Sequence, residues 1–148
     1  MIHENSHKKI DFNGAKGLVF IGTKIIAYRR DKKTNLYPLY IDLPGGLREQ
    51  NESPFDTFQR EIREECGITI EKGDIHFSCM VESLSPSNKK SYFFVTRPLE
   101  AKSTEIVFRD EGMEWTLMTP EEFIKHPDGI EQQQKRIEKY LTGKMVSE

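Results

Sequence analysis

A chain of 148 residues has room for one hydrophobic core and not comfortably for two, so residues 1–148 are expected to form a single domain. With 36% hydrophobic and 31% charged residues, the composition excludes both a disordered and a membrane-embedded chain. A formal net charge of -2 gives no global field for gripping long nucleic acid, although Arg29/Arg30 and Lys89/Lys90 are local basic pairs.

The polar segment from Met1 to Lys9 and the lack of a long apolar stretch predict no signal peptide and no membrane span, which makes the cytoplasm the default location. Residues 1–10 are expected to be a flexible tail, in which the i, i+4 pair His3 and His7 reads as terminal and polar rather than as a metal site. Cys66 and Cys79 are expected to be free, buried thiols. The sequence leaves a monomer and a homodimer both open.

Ala15–Ile21 and Lys24–Tyr28 are apolar, β-prone runs around Gly22-Thr23, the pattern of a hairpin. Tyr37–Leu43 reads as a third strand, ended by the turn residues Pro44-Gly45-Gly46. Ser53-Pro54 supplies an N-cap and a proline at the first helical position, and helical periodicity runs from Pro54 to Cys66 before Gly67 stops it. Asp74–Leu84 and Lys90–Thr96 flank the loop residues Ser85-Pro86-Ser87-Asn88 as a long hairpin. Glu105–Phe108 and Trp115–Met118 add short strands. Thr119-Pro120-Glu121-Glu122 is a capping box, and Asp128-Gly129-Ile130-Glu131 opens a last amphipathic helix to about Leu141. Strands interleaved with helices in mixed order imply α/β or α+β layering.

On a wheel of about 100° per residue, Phe58, Ile62 and Cys66 fall within roughly 60° of Phe55 and form an apolar stripe. Glu61, Glu64 and Glu65, at i, i+3 and i+4, make a second face away from it. Like charges at this spacing cost an isolated helix a few tenths of a kcal/mol per pair, so a cation is expected beside them. Arg60 and Arg63 supply part of that charge, and a hard divalent cation prefers oxygen ligands of this kind. Glu52, just before the helix, lies at the positive end of its dipole. Glutamate runs are more often plain solvated faces, and the cluster alone does not decide between the two.

The full pattern does. Gly46, five residues, Glu52, seven residues, Arg60-Glu61-Ile62, one residue, Glu64-Glu65, one residue and Gly67-Ile68 make a complete Nudix box, preceded by Leu43-Pro44-Gly45. A chance match at all these positions is rarer than roughly one in a million at average residue usage. The chain thus resembles the Nudix hydrolases, and the resemblance implies an α/β/α sandwich with a mixed sheet over most of its length. Asn51 departs from the glycine that many members carry before the glutamate, and Asn tolerates left-handed backbone.

The resemblance further implies a hydrolase that cleaves a phosphoanhydride in a nucleoside diphosphate linked to a variable group, a small-molecule nucleotide such as a nucleoside triphosphate. It implies Mg²⁺ or Mn²⁺ held by Glu61, Glu64, Glu65 and the carbonyl of Gly45, with Glu52 nearby. Arg60 looks like the arginine that orients a box glutamate. Glu64 is the favoured proton acceptor, and Glu111, shortly before Trp115, lies where some relatives carry a later catalytic glutamate. Removal of pyrophosphate from RNA 5′ ends and a non-catalytic nucleotide-sensing module are the alternative activities; intact Glu61, Glu64 and Glu65 argue against the second. Tyr37, Tyr40, Phe93 and Trp115 are expected mainly in packing roles, and Arg29 and Arg30 as solvated charges.

Overall fold

The computed structural model describes residues 11–84, 89–109 and 113–146. Strand β1 (Phe12–Leu18) lies between β5 (Gly45–Leu47), antiparallel to it, and β7 (Lys90–Thr96), parallel to it; β6 (Ile75–Glu82) completes the sheet in the order β5-β1-β7-β6. The second sheet is built on β3 (Lys24–Arg29). Strand β8 (Glu114–Met118) pairs along its length, while β2 (Phe20–Ile21) and β4 (Ile41–Asp42) pair with its two ends. Three helices follow the sequence: α1 (Pro54–Cys66), α2 (Pro120–Lys125) and α3 (Glu131–Leu141).

The alternation of side chains along each strand divides the core into two faces. On one, Ala15, Ile26, Tyr92 and Phe94 meet Phe58, Ile62 and Cys66 of α1. On the other, Leu18, Ile25, Ala27, Phe93 and Val95 meet Phe123 of α2 and Ile137 of α3. Helices therefore cover both faces of the strands, as the sandwich expectation requires. Full burial of a Phe or Ile side chain such as Phe58 or Ile62 contributes about 1.5–3 kcal/mol.

Helix α1 starts and stops where its residues dictate. The Ser53 side chain accepts from the Asp56 amide at 3.1 Å, and Gly67, at φ 77°, donates its amide to the Arg63 carbonyl. The expected capping box at Thr119 and the hairpin of β6 and β7 are also present.

Three strand expectations need correction. The run Ala15–Ile21 is split at Val19, with β1 in one sheet and β2 in the other. Tyr37–Leu43 keeps only Ile41–Asp42 as strand, because Tyr37 and Leu39 adopt φ of 52° and 65°. The Leu36 and Leu39 carbonyls there accept from Arg30 and Arg29 instead of a neighbouring strand. Glu105–Phe108 is not a strand either. Val107 and Arg109 donate their amides to the Cys66 and Glu65 carbonyls at the end of α1, so the apolar Ile106 and Phe108 reflect packing on the core. The left-handed residue ahead of the helix is Gln50, at φ 48°, and not Asn51. The tail 1–10, with His3 and His7, and the loop Ser85-Pro86-Ser87-Asn88 lie outside the described residues. Cys66 and Cys79 are buried thiols outside any disulfide, as expected, and burial pushes the Cys66 thiol well up, which makes it inert as a nucleophile.

Candidate active site

The C-terminal half of α1 runs beside β5, and this contact brings the box glutamates to the glycines of the preceding turn. Glu65 is buried, 4% exposed, and its Oε1 accepts from the Gly45 amide at 2.9 Å. Burial pushes its carboxyl up to about 7, and the nearby charge of Glu61 adds to this; Lys16, the Gly45 amide and Arg109 act in the opposite direction. Glu61 lies so close to the backbone that a Cβ at Gly46 would stand 2.5 Å from its carboxylate. Gly45 itself is at φ 135°, and a Cβ there would be 2.1 Å from the Ala15 carbonyl. The Gly-Gly pair thus makes room for both the strand and the acid.

Arg60 ties the remaining acids together. Its Nε donates to Glu52 Oε2 at 2.7 Å, its Nη1 to Glu61 Oε2 at 2.9 Å and Glu64 Oε1 at 3.2 Å, and its Nη2 to the Leu47 carbonyl at 2.8 Å. The hydrogen bond from Arg60, with those from the Glu49 amide and Thr57, holds the Glu52 carboxyl down at about 2. Glu64 is the most exposed of these acids, its side chain 45% accessible. The predicted residues Glu52, Arg60, Glu61, Glu64, Glu65 and Gly45 therefore share one region. Glu61, Glu64 and Glu52 turn toward Arg60 while Glu65 turns inward, so no three acids among the described residues converge as a cage. Glu111 lies outside the described residues.

The acids nevertheless fit a hard cation. Glu61 and Glu65 are carboxylates with little solvent to stabilise their charge, and mutual repulsion already raises Glu65, so a divalent ion would relieve an existing electrostatic cost. The Gly45 carbonyl faces the other way, 3.5 Å from Lys16 Nζ.

On that side of β5 lies a cavity of about 370 Å³, lined by Lys16, Tyr28, Arg30, Tyr37, Tyr92 and Arg136 among others, with Gly45 and Gly46 on the boundary between it and the acids. Beneath it Asp42 is fully buried. It accepts from Lys16 at 3.1 Å, Arg30 at 2.9 Å, the Leu43 amide at 2.7 Å and Gln133 at 3.0 Å. Burial alone would raise the Asp42 carboxyl, but Lys16 and Arg30 outweigh it and hold it below the usual range. Burial likewise opposes the charge of Lys16, and Asp42, with Tyr28 and Glu65, outweighs it to keep the ammonium protonated.

Sequence reasoning missed this network. Arg30, expected as a solvated charge, is largely enclosed, whereas Arg29 pairs with Asp128 at 2.9 Å and Glu114 at 3.4 Å. Tyr37 lines the cavity; Tyr40 is exposed, Phe93 is core and Trp115 is stacked between Tyr28 and Phe108. The available signal was a lone acid, Asp42, between Ile41 and Leu43 in an apolar run.

Known proteins share this architecture. The MutT protein from Methanosarcina mazei Go1 superposes with a TM-score of 0.73 at 19% identity, covering 93% of this chain and 99% of that one. A bifunctional NMN adenylyltransferase/ADP ribose pyrophosphatase from Francisella tularensis, solved with AMP and a Mn ion, gives 0.71 at 18% identity, over 93% of this chain and 43% of that one. A MutT NUDIX hydrolase from Burkholderia pseudomallei gives 0.65 at 17% identity, over 84% and 92%. No curated protein matches the chain. The NUDIX domain model matches residues 13–141, nearly the whole of the sandwich and every element of the acid cluster, and the chain therefore belongs to the Nudix hydrolase family.

Proposed function

We propose that the protein hydrolyses a phosphoanhydride in a nucleoside diphosphate linked to a variable group, with a nucleoside triphosphate or related nucleotide as substrate, in the presence of Mg²⁺ or Mn²⁺. The observation that carries this reading is the position of Glu61 and Glu65 at the Gly45-Gly46 turn, directly against a cavity large enough for a nucleoside. Support for the cation comes from the acids themselves and from the Mn ion in the Francisella tularensis relative.

Glu61, Glu64 and Glu65 would hold the ion, with Glu52 at one remove and the Gly45 carbonyl on the cavity side. A divalent cation there would offset charge on the phosphates and acidify water. Arg60 orients Glu61 and Glu64 through its fork of donors. Glu64, the accessible acid, takes the proton as water attacks phosphorus and the bridging P–O bond breaks, its electron pair leaving with the departing phosphate. Glu111 is the second candidate for that proton. Tyr28, Tyr37 and Tyr92 offer aromatic surface to the part of the substrate in the cavity.

The test is phosphate release from a panel of nucleotides with and without Mg²⁺, comparing the parent with Glu64→Gln and Glu111→Gln. Turnover that needs the cation and falls about a hundredfold or more in one variant is expected, the typical contribution of a positioned base. Glu64→Gln hydrolysing every substrate as fast as the parent would remove Glu64 from the role, and a parent inert with both ions would remove the activity.

A further inference from the structure

The cavity beside the acids has mostly apolar walls into which three cations are set. Lys16, Arg30 and Arg136 line it, and no carboxylate does so among the described residues. Among the described residues the acid bonded to them is Asp42, which is fully buried and serves both Lys16 and Arg30. Arg136 is 8% exposed and is held by neutral acceptors, the Gln133 side-chain oxygen at 3.1 Å and the Glu82 carbonyl. Three cations against Asp42, with Glu65 acting on Lys16 from the metal side, leave an excess of at least one positive charge at the cavity wall. Glu65 lies on the other side of Gly45, where the catalytic cation would engage it.

A neutral nucleoside would take water from these charges and give nothing back, whereas burying charge is tolerated when it is paired. A phosphate monoester carries a charge of about -1.5 to -2 at neutral pH and three acceptor oxygens, which suits the excess charge and the guanidinium hydrogens of Arg30 and Arg136 beyond those given to Leu36, Asp42, Gln133 and Glu82. We propose that the cavity selects a phosphate monoester on the part of the substrate it encloses, with Arg136 as the specificity-determining cation. The substrate class would then be pyrophosphates bearing a further phosphate away from the scissile bond. This rests on the pyrophosphohydrolase reading above for its role in turnover, though the binding preference stands independently of it.

The experiment is calorimetric titration of the full chain, without divalent cation, by ribose 5-phosphate, ribose, AMP, adenosine and glucuronate, with amide shifts followed by NMR. Each phosphorylated probe is expected to bind at least about tenfold more tightly than its unphosphorylated partner and than glucuronate, as charge-assisted hydrogen bonds imply, and to shift Gly45, Ser83 and Ser91 at the cavity wall. Arg136→Gln should weaken the phosphorylated probes about tenfold, and Arg136→Lys should retain most of the affinity. Equal binding of phosphorylated and plain probes, or shifts elsewhere on the unaltered chain, overturns the proposal whether or not the Arg136 variants fold. So does full phosphate affinity in Arg136→Gln. Cation-dependent turnover without any preference for a second phosphate removes this inference alone; phosphate binding by a chain inert with Mg²⁺ and Mn²⁺ removes only the proposed reaction.

Discussion

The Gly45 amide donates to Glu65 Oε1 over 2.9 Å, so the strand that borders the cavity and the helix that carries the acids are joined through one buried carboxyl. That carboxyl titrates at about 7 instead of its ordinary 4.5, with burial as the main cause. Between those two pH values the folded chain holds a proton that the unfolded chain has released. Stability is thus fully present below 4.5 and is lost as pH rises through 7, by about 3 kcal/mol in total. Glu65→Gln should abolish that slope in the metal-free protein, read from urea unfolding at pH 5, 6, 7 and 8. Because a bound cation needs the ionised form, Mg²⁺ should raise the melting temperature more at pH 8 than at pH 6 in the parent, and not at all in the variant.

Arg60 bonds to Glu52, Glu61 and Glu64 at once. Replacing it by alanine should cost about 1 kcal/mol of stability at pH 7, a figure reduced for solvent screening at this half-open site. The Glu52 carboxyl is depressed from 4.5 to about 2, so its share is present above 4.5 and disappears as pH falls toward 2. Turnover should fall roughly 10–100-fold, as when a partner that orients metal ligands is removed. Parallel acid titrations of stability and a kinetic assay check both statements; an unchanged rate rejects the orienting role.

Gly46→Ala places a methyl group 2.5 Å from the Glu61 carboxylate, the flexible end of a side chain, which can swing aside. The fold should survive with a loss of about 1 kcal/mol or less, since no buried backbone is displaced. Cation affinity and turnover should nevertheless drop at least about tenfold, because the geometry of the acid matters more than its presence. Circular dichroism and Mg²⁺ titration separate the two effects.

Asp42→Asn leaves Lys16 and Arg30 enclosed without their shared anion. Loss of one partner from a buried charge cluster costs about 3–5 kcal/mol, and chemical denaturation should show a change of that size. A variant as stable as the parent would mean that water or another group reaches these cations.

Much of α1 was legible because its signals are local: Ser53 caps it, Pro54 begins it, Gly67 ends it, and Phe58, Ile62 and Cys66 repeat at helical spacing. The acids of the box are also local, with Glu61, Glu64 and Glu65 falling within two turns of one helix. Lys16, Asp42 and the Gln133/Arg136 pair of α3 are far apart in the chain, so only folding brings the three places together. Tyr37–Leu43 misled for a related reason. Its composition is that of a strand, but the side chains of Arg29 and Arg30 take the carbonyls that a partner strand would need, and the backbone turns left-handed at Tyr37 and Leu39.

The split of the first apolar run at Val19 sends one continuous stretch of chain through both sheets. The cavity draws Lys16 from the first sheet, Arg30 from the turn after β3 of the second, and Arg136 from α3. A molecule seated among them acts as a rivet through separate layers, so its binding free energy adds to the cooperativity of the whole domain and not to the rigidity of a single loop. Amide exchange slowed by a cavity ligand should therefore extend from β1 to α3 as a single protected unit.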